Sequence, residues 1–302
     1  MCAAFDMAKV SFLLLVLIFF PGCNSVGLTP SERNSLPKVP TPAPTPSDRI
    51  PDVSDDVLIP WKQTIGSIDY RWNGKDLFVR INKGYEIGLF SKAARKYRRS
   101  FDRSGRKCVL DSFFTPVAVA ENILSYEHES GYGGPGCGVS DGEWRYATVD
   151  VFDSTSFLDL RSFFSEDEIL HAFLANSQIS SYIQKSIGNK KLTAVPASLK
   201  ELSAYLTRFD YEIFNGYSYF EGDYLERFAF HHIEGDMISI RISATSTSTA
   251  GRAIHEYVEI LLPIPERLRE ALEKADASDA GFLMKDADVK VGTKAAMIEL
   301  TF

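Results

Sequence analysis

Between Val10 and Phe20 the chain is apolar but for Ser11, and from Asn24 to Pro60 it is polar and rich in proline. These two neighbouring segments decide how much of the protein can build a core. The apolar run is eleven residues, short of the about 20 that a helix needs to cross a bilayer. It has the length of the hydrophobic region of a secretory signal. No polar face interrupts it, which argues against an amphipathic helix packed in a core. In the segment that follows, prolines at 40, 42, 44, 46 and 51 remove amide donors and favour an extended backbone. Such a stretch buries too little apolar surface to offset its ordering entropy. It reads as a spacer, and at about 3.1 Å per residue it could hold a folded body roughly 100 Å from its point of attachment. A loop lying on the domain is the alternative.

The junction between the two segments, Gly22-Cys23, resembles the lipobox of bacterial lipoproteins, in which the cysteine is lipidated and becomes the new N-terminus. Gly22 and Cys23 fit that pattern; Phe20 and Pro21 depart from its usual leucine and small residue. The resemblance implies residues 1–22 as signal peptide and 23–60 as a lipidated cysteine (palmitate among its acyl groups) with a proline-rich tether. The attachment is then to the bacterial envelope. Asn24, where an aspartate would resemble an inner-membrane retention signal, favours the outer membrane facing the periplasm. Two or more acyl chains are what stable attachment requires. Asp6 offsets Lys9 near the start, and initiation at Met7 rather than Met1 would give a cleaner positive end.

Residues 61–302 are left to fold, roughly 240 residues, enough for one large domain or two small ones divided at 61–114 and 115–302. Of the four cysteines, Cys2 leaves with the signal and Cys23 carries lipid, so Cys108 and Cys137 remain. In an oxidising compartment they are expected to bridge, with two free buried thiols as the alternative. A closed loop of about 30 residues is worth roughly 3–4 kcal/mol in the chain-entropy account.

The patterning is mixed, and the expected class is α+β, with mixed antiparallel sheets and a few packed helices. "SIDYRWNGKDLFVRI" reads as two strands around Asn73-Gly74, and "GLFSKAARKYRRSF" as a helix. "PVAVAENILSYEHE" and "EWRYATVDVFD" each read as one strand. Ser165 with Glu168, and Ser198 with Glu201, have capping-box spacing ahead of apolar helical repeats. "LERFAFHHIEGDMISIRIS" reads as a hairpin turning at Glu234-Gly235. "HEYVEILLP" reads as a strand before a helix that has Pro265 in its first turn.

Motifs for nucleotide phosphates, nucleophile elbows and metalloprotease helices are absent from the sequence. The glycine-rich 130–142 segment lacks the lysine and the strand-to-helix context of a phosphate cradle, and reads as a connection between strands that could meet a partner. His231 and His232 are adjacent on an expected strand, so their side chains should point to opposite faces and could not hold one ion without a bulge. No metal and no cofactor is therefore expected, and no enzyme. If catalysis occurred, Glu127, His128 and Glu129 beside that glycine-rich segment would be the place for it. Residues 92–107 carry eight cations against Asp102, which leaves −14 on the remainder of a chain whose net charge is −7. The helical cations, Arg95 and Arg99 among them, form a solvated face or a patch for anionic polymer or phospholipid; nucleic acid is not expected. The acidic remainder suits a cationic partner.

The order "NILSYEHESGYGG", a loop, and "WRYATVDVFDSTSFLDLRSFFSEDEIL" resembles an extracytoplasmic bacterial domain whose known hosts are the lysozyme-sensing anti-sigma factor RsiV and a peptidoglycan deacetylase, where it is an accessory region. Gly133-Gly134 match the family's Gly-Gly step, Asp150 or Asp153 its aspartate, and Leu158, Asp159, Leu160 and Phe163-Phe164 its following segment. Pro135 and Gly136 stand where the family has a histidine, and "ATSTSTAGRAI" replaces a tyrosine-rich segment, so no binding residue is carried over. The resemblance covers roughly residues 115–275. It implies a non-catalytic binding module for a cell-envelope polymer such as peptidoglycan, or for a lysozyme-like protein. Glu127, His128, Glu129, Tyr132, Trp144, Arg95 and Arg99 are the candidate contact residues. A structural or assembly lipoprotein is the second reading, and a peptidoglycan-acting enzyme the third.

Overall fold

The structure, a computed structural model, describes residues 60–101, 109–133, 143–153, 156–208, 213–214, 218–246, 255–287 and 296–300; at 96–101, 109–111, 131–133, 246 and 296–300 it describes the backbone. Cys23, Cys108 and Cys137 lie outside the described residues. The architecture is α+β with antiparallel sheets, as the patterning implied.

The first sheet is a meander of β1 (Trp61–Ile65), β2 (Ile68–Trp72), β3 (Leu77–Ile81) and β4 (Glu86–Gly88), paired in that order. Period-two alternation puts Ile68, Tyr70 and Trp72 in the core and Asp69 and Arg71 outside. The β2–β3 turn forms where expected, because the Asn73 carboxamide oxygen accepts from the amides of Lys75 (2.9 Å) and Asp76 (2.8 Å) and Gly74 takes a φ of 85°. Helix α1 (Leu89–Phe101) follows β4 directly. Its N-terminus has no capping residue of its own. The buried Asp76 carboxylate reaches across to accept from the amides of Phe90 (2.9 Å) and Ser91 (3.4 Å).

The apolar run expected as a single strand is a hairpin. β5 (Val109–Ala120) and β6 (Ile123–Gly133) reverse at Glu121-Asn122, with Glu121 at a φ of 54°. Both arms are apolar enough to be buried, so only the polar pair between them marks the turn. β5 runs through the point between 114 and 115 where the sequence allowed a division, and the described residues from 60 onward belong to one compact unit. β7 (Glu143–Asp150) pairs with β6. Three helices follow: α2 (Glu166–Ala175), α3 (Ser177–Gly188) and α4 (Leu199–Leu206). Ser165 and Glu168 form the full reciprocal capping box. Ser198 caps α4, but the Glu201 carboxylate turns to the amide of Ala197 instead. α3, not anticipated from the sequence, begins at Asn176, whose side chain accepts from the Ile179 amide at 3.0 Å.

β8 (Ser218–Tyr219) precedes the second major sheet, in which β9 (Phe228–Glu234) and β10 (Met237–Ser243) form the expected hairpin. Its turn falls one residue later than read, at Gly235-Asp236, because Gly235 supplies the positive φ of 61°. β11 (Thr245–Ser246) pairs with β8, and β12 (Tyr257–Pro263) with β10. A short 3-10 turn after Pro265 leads into α5 (Arg269–Asp276), and β13 (Ala296–Leu300) adds to β5.

Two apolar clusters result. In one, Ile238, Ile240, Ile242, Val258, Ile260 and Leu262 face α2, α3 and α4. In the other, Trp72, Phe90, Phe114 and Tyr126 join the meander and α1 to the β5–β7 sheet. Phe90 stacks on Phe114 with centroids 5.0 Å apart, and Trp72 meets Phe90 edge-on at 5.8 Å. The outer edge of β7 is covered rather than left open: the Tyr146 amide donates to the Ser243 hydroxyl (2.9 Å), and the Thr148 hydroxyl donates to the Phe228 carbonyl (2.6 Å). Those bonds fix the two sheets against each other and bring their polar faces side by side. Among the described residues no helix is long and apolar enough to cross a membrane.

Candidate functional site

Strand alternation sorts the predicted contact residues to two faces. Glu127 pairs with Tyr146 and Glu129 with Trp144, so these four side chains share one face of the β6–β7 sheet. His128 pairs with Arg145 on the other. There it is fully buried and stacks on Phe114 at 4.5 Å. Burial, and then the Arg145 charge, push its pKa down to about 3, so the ring is neutral. The sequence placed His128 among the contact residues and beside its two glutamates as a catalytic candidate; it is a core residue that a partner cannot reach. Trp144 is also buried, at 1 % exposure, because a residue from outside the strand lies over it.

That residue is His255, ahead of β12. Its ring lies parallel to the Trp144 ring at 4.7 Å, with Nδ1 3.3 Å from a Glu127 oxygen and Nε2 3.9 Å from a Glu129 oxygen. The Trp144 indole N–H donates to the same Glu127 carboxylate. His255 and Glu129 are each more than a third exposed, so this is a shelf at the surface and not a deep centre. Arg95 stands exposed on α1, its Nε donating to the Ser91 carbonyl. The side chains of Arg99 and Tyr132 lie outside the described residues.

The shelf continues onto the outward face of the β9–β10–β12 sheet. Tyr146 meets Tyr257 with centroids 6.5 Å apart, and the Arg241 guanidinium sits 4.4 Å above the Tyr257 ring. Arg241 Nε donates to Glu259 Oε2 at 2.9 Å, and the Ser239 hydroxyl donates to Glu259 Oε1 at 2.8 Å. These two donors hold the Glu259 carboxyl below the usual carboxylate range even though burial opposes it.

At the far end the sheet breaks its own alternation. Ser239 pairs with His232 and Ile240 with Phe230, so His231 is an extra residue in β9. Phe228, Phe230 and Ile233 all reach the helical core, which leaves His231 and His232 on the same outward face. Their Nδ1 atoms are 2.6 Å apart, and His231 Nδ1 is 3.8 Å from Glu259 Oε1. The expectation that neighbouring histidines diverge is overturned by this bulge. Burial, then the Arg241 charge, lower the His231 pKa to about 4. One Nδ1 donates to the other, according to the tautomer.

Neither His255 nor the Tyr257–Arg241–Glu259 series was singled out from the sequence. The signal available was the alternation of β10 and β12, in which Arg241 falls between buried Ile240 and Ile242, Glu259 between buried Val258 and Ile260, and Tyr257 just before Val258. Set beside known proteins, the chain matches no family model, no curated protein and no solved structure.

Proposed function

We propose that the chain is a lipid-anchored extracytoplasmic binding module whose acidic and aromatic shelf receives a cationic protein surface of the lysozyme type. The observation that carries this reading is the pair Glu127 and Glu129, side by side at the surface with His255 laid over Trp144. Two carboxylates on a rigid sheet steer a cationic partner, and the exposed Tyr257 ring offers flat contact area next to them. The negative charge of the chain outside residues 92–107 supports the same sign of partner. The Gly22-Cys23 junction and the proline-rich spacer support presentation of this surface away from a membrane.

A second reading, an assembly lipoprotein, draws support from the meander's edge. Among the described residues β4 pairs on one side only, and next to it Tyr85 is 96 % exposed, with Ile87 also turned outward. A peptidoglycan-acting enzyme centred on His128 and its flanking glutamates is disfavoured, because the sheet lies between the imidazole and both carboxylates.

The test is retention of hen lysozyme, and separately of purified peptidoglycan, on the immobilised full chain. Lysozyme binding that weakens with salt and is lost in Glu127→Lys/Glu129→Lys supports the proposal. Retention of peptidoglycan alone reassigns the ligand to an envelope polymer. Failure of both removes the binding-module reading.

A further inference from the structure

We propose that His231, His232 and Glu259 bind a divalent late first-row transition ion of the zinc and copper class, through the two Nδ1 atoms and one carboxylate oxygen. The donor atoms of the three residues lie within 4.8 Å of one another. Two imidazoles and a carboxylate are a set that such ions accept and that calcium and magnesium, which prefer oxygen, do not. In a tetrahedral site with bonds of about 2.1 Å, donors stand roughly 3.4 Å apart. The present edges straddle that value, 2.6 Å between the rings and 3.8 Å from His231 to Glu259. From the present positions the rings must part by about 0.8 Å and His231 and Glu259 approach by about 0.4 Å; the third edge, His232 to Glu259, is within 4.8 Å.

The surroundings are built for this. The bulge is what brings both rings to one face, and the Asp276 carboxylate pins the strand beyond it by accepting from the Ile233 amide at 3.0 Å. Ser239 and Arg241 orient Glu259 from behind, as outer-shell donors orient carboxylate ligands. Three protein ligands would leave a fourth position for water or a partner's group. The proton balance is simple. In the metal-free pair one ring is an Nδ1–H donor; to present that lone pair to the ion the ring carries its proton on Nε2 instead, a change of tautomer that releases no proton. Arg241 and Lys285 are the opposing charges nearby, and they set affinity against the ion rather than for it. Lys285 already has a partner in Asp276, at 2.7 Å.

The experiment uses tag-free full chain with its thiols alkylated, so that cysteine cannot bind the probe. Zinc is titrated in competition with a chromophoric chelator, and copper(II) is followed by electron paramagnetic resonance. One equivalent of zinc should bind with a dissociation constant below about 10 μM, and His232→Ala and Glu259→Gln should each weaken it by about tenfold or more. His255→Ala should leave it unchanged. Copper should show hyperfine splitting from two nitrogens in the unaltered chain, which needs no variant to fold. Absence of stoichiometric zinc, copper coupled to fewer than two nitrogens, or affinity unaffected by His232→Ala in a variant with an intact melting transition would overturn the assignment.

Discussion

Replacement of Asp76 by alanine should loosen α1 and the whole aromatic wall behind it. The carboxylate is buried at 6 % exposure and accepts from the Phe90 and Ser91 amides, which begin a helix with no other described cap. Hydrogen bonds to a charged group contribute about 1.5–3 kcal/mol each when well formed. The bond to Phe90 at 2.9 Å qualifies, whereas the contact to Ser91 at 3.4 Å is weak. A cap on its own is worth about 0.5–2 kcal/mol. Together these place the cost of Asp76→Ala at about 2–3 kcal/mol, since the Phe90 amide is left buried without its acceptor. Gly88 gives a second handle on the same bond. A Cβ there would lie 2.3 Å from Asp76 Oδ2, so Gly88→Ala should push the carboxylate off the helix and cost a similar amount. In the double variant the methyl group has room, and the combined cost should equal roughly one single change, a coupling of about 2 kcal/mol. Urea unfolding followed by tryptophan fluorescence suits the measurement because Trp72 touches Phe90. Each single variant should lower the midpoint by about 1 M. Additive costs, within about 0.5 kcal/mol, would refute the claim that Gly88 exists to let Asp76 reach the helix.

Three further outcomes are expected. The buried, neutral His128 takes up no proton until pH falls to about 3, whereas an unfolded histidine does so near its ordinary value of about 6.5. Between those values the unfolded chain binds more protons, so stability should fall as pH drops from 6.5 to 4; His128→Phe should reduce that slope by up to about 1.4 kcal/mol per pH unit, and an unchanged slope in equilibrium unfolding refutes it. Gly281 has a φ of 92°, and a Cβ there would sit 1.9 Å from the Val119 carbonyl oxygen that accepts from the Phe282 amide. Gly281→Ala should therefore cost about 3 kcal/mol or more, seen as a lowered melting temperature or loss of soluble protein, and near-wild-type melting counts against it. Cells fed labelled palmitate should yield labelled protein from the natural sequence and none from Cys23→Ser; an unlabelled natural chain removes the anchor.

Much of the fold could be read from local order. The Asn73-Gly74 turn, the capping box at Ser165 and the alternation of β10 and β12 are contests between a few neighbouring residues, and short-range chemistry decides them. The reversal at Glu121-Asn122 escaped notice because both arms of the hairpin are buried, so hydrophobicity does not change across the turn. The site was harder to read. Its acidic part was legible as Glu127 and Glu129 on one face of a strand. Its cover, His255, comes from more than a hundred residues away and has no local signal. His128 looked like a surface residue among charges until Phe114 and Arg145 enclosed it.

The residue order by itself determined the α+β class and the faces that Ile238, Ile240 and Ile242 or Val258, Ile260 and Leu262 must turn inward. Side-chain direction repeats every two residues along a strand, and hydrophobicity reveals that repeat without any partner. Only the tertiary structure decided that β9 holds one residue more than β10 opposite it. An insertion of that kind is settled between strands, when Phe230 and Ile233 both have to reach the same core. The same constraint turns two adjacent histidines toward one carboxylate, which alternation alone would have kept apart.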